Sequence, residues 1–240
     1  MAESLAAKRE RTGKILEVLA RTYPTPHCAL NHRNAYELLI ATILSAQCTD
    51  ARVNLVTPAL FAKYPTPKEL ALSHPKDVEK LIQSAGFYRA KTKSIRASAA
   101  DIVAKHGGEV PRTMEELTAL RGVGRKTANV VLGNAFGQNV GVVVDTHVSR
   151  LSLRLNLTRH SDPVKIEQDL MKLVPQEEWT NFPHRLIFHG RRVCIARRPR
   201  CPECPLLGLC PTGPKLIKQG LIAKPKEGAG AEGGEGAGGF

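Results

Sequence analysis

The sequence predicts an all-α protein. Apolar residues recur at helical spacing along most of the chain, and prolines and glycines fall where helices would start or stop. Continuous β-branched runs bounded by turns are almost absent; only 140–144, with four valines, reads as a short strand. A chain of 240 residues with 42% hydrophobic content is long enough for one large domain or two smaller ones.

The elements follow in order. A first amphipathic helix covers 8–21, with Ile15, Val18 and Leu19 on its apolar side, and stops before Pro24 and Pro26. A second covers 35–47 and uses Leu38, Leu39, Thr42, Ile43 and Ala46. Asp50 caps a third, which Pro58 should kink or end. Pro65 and Pro67 introduce a short helix around Glu69. Helix recurs over 75–85, where Gly86 offers a stop, and over 89–105, where Gly107 and Gly108 do the same. Thr113-Met114-Glu115-Glu116 reads as a capping box opening a helix that runs through Leu120. Beyond a glycine hairpin come helices at 125–136, 145–155, 162–174 and 183–193. The segment 216–240, rich in Gly, Ala and Glu, has too few apolar groups to offset its ordering entropy and is expected to be a disordered tail.

Charge narrows the function. Lys and Arg total 35 against 22 Asp and Glu, a formal net charge of +13, which favours a polyanionic partner, either nucleic acid or an acidic membrane surface, between which charge alone does not choose. No apolar stretch approaches the ~20 residues a membrane span needs, and the N-terminus lacks an apolar signal core. A cytoplasmic protein with no membrane partner is expected. In such a reducing compartment the six cysteines are better read as thiols or metal ligands than as disulfides, with Cys28 and Cys48 as plain thiols.

Two motifs carry chemistry. Leu120-Arg121-Gly122-Val123-Gly124-Arg125-Lys126-Thr127 joins two helices through a hairpin made tight by glycine. Consecutive amide N–H groups there, with Arg125 and Thr127 beside them at a positive helix end, suit a phosphate; a packing corner is the plainer alternative. The second motif is Cys194, Cys201, Cys204 and Cys210, spaced by six, two and five residues. Four thiolates in one segment can surround a metal centre. Structural zinc usually takes two close pairs, and this run has one, so zinc is the weaker reading.

The run Leu120 to Gly137, followed by Val144-Asp145-Thr146-His147, resembles the helix-hairpin-helix and Gly/Pro-Asp signature of the endonuclease III family. The resemblance extends from about residue 10 to residue 212. It implies a six-helix barrel domain at 28–138 and an iron–sulfur cluster domain from 1–27 and 139–215, flanking a DNA-binding cleft. It implies a bifunctional glycosylase and abasic-site lyase of base excision repair, acting on oxidised pyrimidines in duplex DNA. A monomer on the bacterial nucleoid is expected.

By this resemblance Lys126 is the nucleophile, with Arg125 as a positive neighbour favouring its neutral amine, and Asp145 is the carboxylate that stabilises charge on the sugar. A helix cap is the alternative role for Asp145. The four cysteines match the family's [4Fe–4S] loop, and Arg197, Arg198 and Arg200 lie within it, placed to meet phosphates. Gly122, Val123, Gly124, Arg125, Thr127 and His147 are further expected DNA contacts. Gln47 matches a residue that enters the space left by the extruded base, and Phe87 stands where a leucine usually wedges. Arg121 replaces a common hairpin proline, Cys48 a usual alanine, and one extra residue falls between Phe136 and Asp145. A mismatch adenine glycosylase is disfavoured by Lys126 and the short tail, and a non-catalytic damage sensor by the pairing of Lys126 with Asp145. A zinc-stabilised RNA binder lacks RNA-stacking motifs.

Overall fold

The structure, a computed structural model, describes residues 3–222. Twelve α-helices and no strand occur among the described residues. They are α1 (Leu5–Thr22), α2 (Ala35–Leu44), α3 (Asp50–Lys63), α4 (Pro67–Leu72), α5 (Pro75–Ile82) and α6 (Tyr88–His106). Then follow α7 (Met114–Ala119), α8 (Arg125–Phe136), α9 (Thr146–Arg154), α10 (Pro163–Leu173), α11 (Asn181–Arg192) and α12 (Gly213–Lys218). The all-α expectation holds. The valine-rich 140–144 is an extended connector, held by burial of Val142 and Val144 rather than by strand pairing.

The interior divides into two apolar cores. The first takes residues from α2 through α8 and has α2 at its centre; nine of the ten residues of that helix are buried, as only a helix surrounded on all sides requires. The second takes Ile15 and Leu19 from α1, Val148 and Leu151 from α9, Ile166 and Leu170 from α10, and Phe182 and Leu186 from α11. The chain thus crosses between cores after α1 and again after α8, and the groove between them is where side chains from distant segments meet.

Several local expectations need correction. Pro58 does not end α3, which continues to Lys63. One lost backbone bond costs about 3 kcal/mol, and burial of Leu60 and Phe61 beyond the proline contributes roughly as much or more. Thr49, not Asp50, caps that helix, its hydroxyl accepting from the Arg52 amide at 3.2 Å. α2 stops at Leu44, where the Ser45 hydroxyl takes the Thr42 carbonyl, so Gln47 lies in the following turn. Thr113 caps α7, but Glu116 returns to the Thr113 hydroxyl at 2.7 Å instead of its amide. The reciprocal box forms at Thr66 and Glu69. Residues 216–218, expected within the tail, are the end of α12; positions 223–240 of that expectation lie outside the described residues.

Candidate active site

A cavity of about 620 Å³, open to solvent, lies between the cores. Thr42, Ser45 and Lys126 line it from one side, and Asp145, His184 and Arg191 from the other. The two residues the sequence pairs chemically are therefore brought into one space.

Lys126 stands in the first turn of α8, which the hairpin starts at Gly124 without a side-chain cap. Gly122 makes this turn possible: its φ is +81°, and a Cβ there would stand 3.0 Å from that of Ser94. Two of the expected phosphate contacts are corrected here. Val123 is buried in the first core, and its amide bonds the Leu120 carbonyl at 3.2 Å, so neither group faces out. Arg125 spends its guanidinium fork on Glu167 of α10, at 2.8 and 3.1 Å. Its charge is balanced inside that pair, so the positive neighbour that the sequence offered to Lys126 is largely cancelled. Gly124 is exposed and Thr127 half-buried at the same helix start.

Asp145 caps α9, its Oδ1 accepting from the Val148 amide at 2.7 Å, while its side chain still borders the cavity. Both sequence roles are thus compatible in one residue. His147, half-buried, lies outside the cavity lining, with Nδ1 3.1 Å from Arg150 Nη2. Burial holds its pKa low against the pull of Asp145, and Arg150 and Arg191 add to that effect, so the ring favours its neutral form and accepts from Arg150. His184 was not singled out in the sequence. Burial, with help from His27, pushes its pKa down to about 4. The neutral ring donates from Nε2 to Asn134 Oδ1 at 2.8 Å. Arg191 reaches across the cavity to Asp50 at 2.6 Å, linking α11 to α3.

Gln47 and Phe87 are both exposed and both hold left-handed backbone, with φ of 52° and 47°. Neither lines the cavity; they stand on the turns after α2 and before α6. Lys91, buried on α6, donates to the Ala85 carbonyl at 2.9 Å and so ties down the turn that presents Phe87. Burial lowers its pKa.

The four cysteines of the 194–210 segment all line one void of about 440 Å³ against α9, α11 and α12. None of the four is in a disulfide. Arg154 donates to Cys194 Sγ at 3.2 Å and to the backbone carbonyls of Ile195 and Ala196; the Gly213 amide donates to Cys210 Sγ at 3.4 Å. His189 lies 3.4 Å from Cys204 Sγ and bonds the Tyr23 hydroxyl on its other nitrogen. Arg197, Arg198 and Arg200 are exposed around this loop.

Residues 40–176, more than half of the chain, match the HhH-GPD superfamily of base excision DNA repair proteins. Endonuclease III of Synechocystis sp. is 54% identical over 208 residues, covering 87% of this chain and 95% of that protein. Endonuclease III of Bacillus subtilis is 48% identical over 210 residues, covering 87% and 95%. A solved structure of an endonuclease III trapped as a covalent intermediate with DNA superposes with a TM-score of 0.82 at 48% identity, over 87% of this chain and 98% of that one. Sequence, fold and site geometry converge, and the chain belongs to the endonuclease III family of the HhH-GPD superfamily, as a DNA glycosylase and lyase of base excision repair.

Proposed function

We propose that the chain removes oxidised pyrimidines from duplex DNA through a Schiff base on Lys126 and then cleaves 3′ to the abasic site. The observation that carries this reading is the meeting of Lys126 and Asp145 in one cavity between the two cores. The cavity is open to solvent, which leaves both groups accessible to a nucleotide turned out of a duplex. The Lys126 amine attacks C1′ as the glycosidic bond breaks, and the base departs with the proton that the amine gives up. The C1′–O4′ bond then breaks, O4′ taking a proton, and leaves an imine, which acidifies C2′ so that its proton departs and the 3′ phosphate is expelled. Asp145 stabilises the positive charge that develops on the sugar. The homologue trapped covalently on DNA supports the covalent step.

Gln47 and Phe87, exposed on strained turns, enter the duplex as the base leaves. Gly122, Gly124, Thr127, Arg197, Arg198 and Arg200 hold the backbone of damaged or abasic DNA, with His147 a neutral contact beside them. The domains are 28–138 and the pair 1–27 with 139–215, a division supported by the two separate cores. All these groups come from a single chain, as action by a monomer requires, and bacterial relatives support a place on the nucleoid.

Cys194, Cys201, Cys204 and Cys210 hold a [4Fe–4S] cluster in this reading. They line one common void, between α9, α11 and α12. Donors from Arg154 and Gly213 at two sulfurs suit thiolate ligands. When bound, the cluster supplies a rigid cross-link for the arginine-bearing loop.

Borohydride added during reaction with abasic DNA is expected to trap a covalent complex, and Lys126→Ala to abolish it. A trapped complex of normal yield in that variant removes Lys126 from the reaction.

A further inference from the structure

Glu167 is a buried carboxylate, 5% exposed, that α10 carries from the second core toward the first. Its Oε2 accepts from Arg125 Nε at 2.8 Å and its Oε1 from Arg125 Nη2 at 3.1 Å. Oε1 also accepts from Asn129 Nδ2 at 2.8 Å. Arg125 and Asn129 lie four residues apart on α8 and so share one face of it. Three bonds to one carboxylate, two of them from a planar fork, fix both the rotation and the height of that helix. Lys126 is the residue next to Arg125, so whatever sets the rotation of the first turn sets where its amine points.

The connector between the cores closes over this carboxylate. A Cβ on Gly141 would lie 2.3 Å from Glu167 Oε1 and 2.8 Å from both terminal atoms of the Asn129 amide. Gly141 stands four residues before Asp145. One buried group therefore anchors the helix that carries Lys126 and underlies the segment that delivers Asp145. Stability alone is a weak reason for such a cluster. Burying the Glu167 carboxylate is costly, its Arg125 partner stays largely exposed, and Asn129 Oδ1 is left without a hydrogen-bond partner among the described residues.

We propose that Glu167 is a positioning residue for the glycosylase and lyase reaction: through Arg125 and Asn129 it orients α8 so that Lys126 faces Asp145 across the cavity. This rests on the reading of Lys126 and Asp145 as the reacting pair. It also gives Arg125 a role inside the protein rather than on the DNA.

The test uses the full chain with duplex DNA carrying one oxidised pyrimidine or one abasic site. Glu167→Gln keeps the volume but removes the charge, whereas Gly141→Ala keeps every charge and displaces the carboxylate. Both are expected to lower the single-turnover rate at saturating DNA, and the borohydride-trapping rate, by about 10- to 100-fold, with DNA affinity changed less than about twofold. Arg125→Lys, which keeps the charge and loses the fork, is expected to fall between these variants and the parent. Rates are read well below each variant's thermal midpoint, where a purely structural role leaves them unmoved. Should Glu167→Gln not fold, Gly141→Ala and Arg125→Lys carry the decision. Parent-like rates in the folded variants overturn the proposal, as does an affinity loss that matches the rate loss. Lys126→Ala runs in parallel: if it still traps DNA, the nucleophile is misassigned, whereas its loss of trapping beside unaffected Glu167 variants sinks only the positioning role.

Discussion

Asp145 allows its proposed catalytic charge to be separated from its structural role. Its Oδ1 caps α9 through the Val148 amide at 2.7 Å, and its charge borders the cavity shared with Lys126. Asparagine caps a helix about as well as aspartate, so Asp145→Asn keeps the bond and forfeits only the favourable charge at a helix N-terminus, about 0.5 kcal/mol. Asp145→Ala loses both, about 1.5 kcal/mol, which for a chain of this size lowers the thermal midpoint by roughly 3 to 6 °C. Neither variant has a negative charge to set against the developing cation, and both are expected to slow base removal by about 100- to 1,000-fold. The paired assay is single-turnover excision alongside thermal unfolding. Similar rates with unequal midpoints support the electrostatic role. If Asp145→Asn instead excises at nearly the parent rate while Asp145→Ala is slow, the carboxylate acts only as a cap and the reasoning is wrong.

Two other expectations concern the flanks of the site. Phe87 holds φ 47° and is 68% exposed, so Phe87→Gly trades relief of left-handed strain against unfolded-state entropy and should alter stability by less than about 1 kcal/mol. Excision from a fully paired duplex should nevertheless fall further than excision from a mismatched one, where unstacking costs less; equal losses on the two substrates argue against a wedge. The second expectation is acid sensitivity at His184, whose neighbours are Asn134, His27 and Asp145. Its folded pKa of about 4 lies below the ordinary 6.5, so between those values the unfolded chain takes up a proton that the folded protein refuses. Stability therefore drops as pH falls from about 6.5 to 4, by about 3 kcal/mol in total, and this residue adds no pH dependence above that range. His184→Gln should flatten the fall in thermal midpoint across that window, and an unchanged slope would remove His184 as its cause.

The parts of the molecule that the sequence disclosed are those encoded locally. α8 starts and ends at the expected residues, Arg125 and Phe136, because a glycine hairpin precedes it and Gly137 follows it. Asp145 was legible as a cap because the cap and its helix are adjacent. Pro58 misled because a local breaker competes with burial that the sequence window does not contain. Glu167, and the pairing of Arg191 with Asp50, were missed for a stronger reason: the partners lie 42 and 141 residues apart, and a surface-looking charge gives no sign of a distant counter-charge. The Lys91 anchor under the Phe87 turn was hidden likewise, since a lysine on a helix ordinarily reads as solvated.

The two helix starts that face the cavity are built differently, and the difference bears on the division of labour between them. α9 opens on a carboxylate that occupies one of its free amides and offsets its positive end. α8 opens on Gly124 with no side-chain cap, and the one arginine of its first turn is paired with Glu167, so its amides keep their positive end for an external anion. In the proposed reaction a phosphate held there would meet backbone dipoles, with the nearby Glu167 carboxylate engaged by Arg125 and Asn129, while a cation forming on a sugar would meet the Asp145 charge. With those proposed roles, the polarity across the cavity runs in the direction that the breaking of a glycosidic bond in DNA requires. In that account the Glu167 pairing keeps the Arg125 charge balanced within the protein.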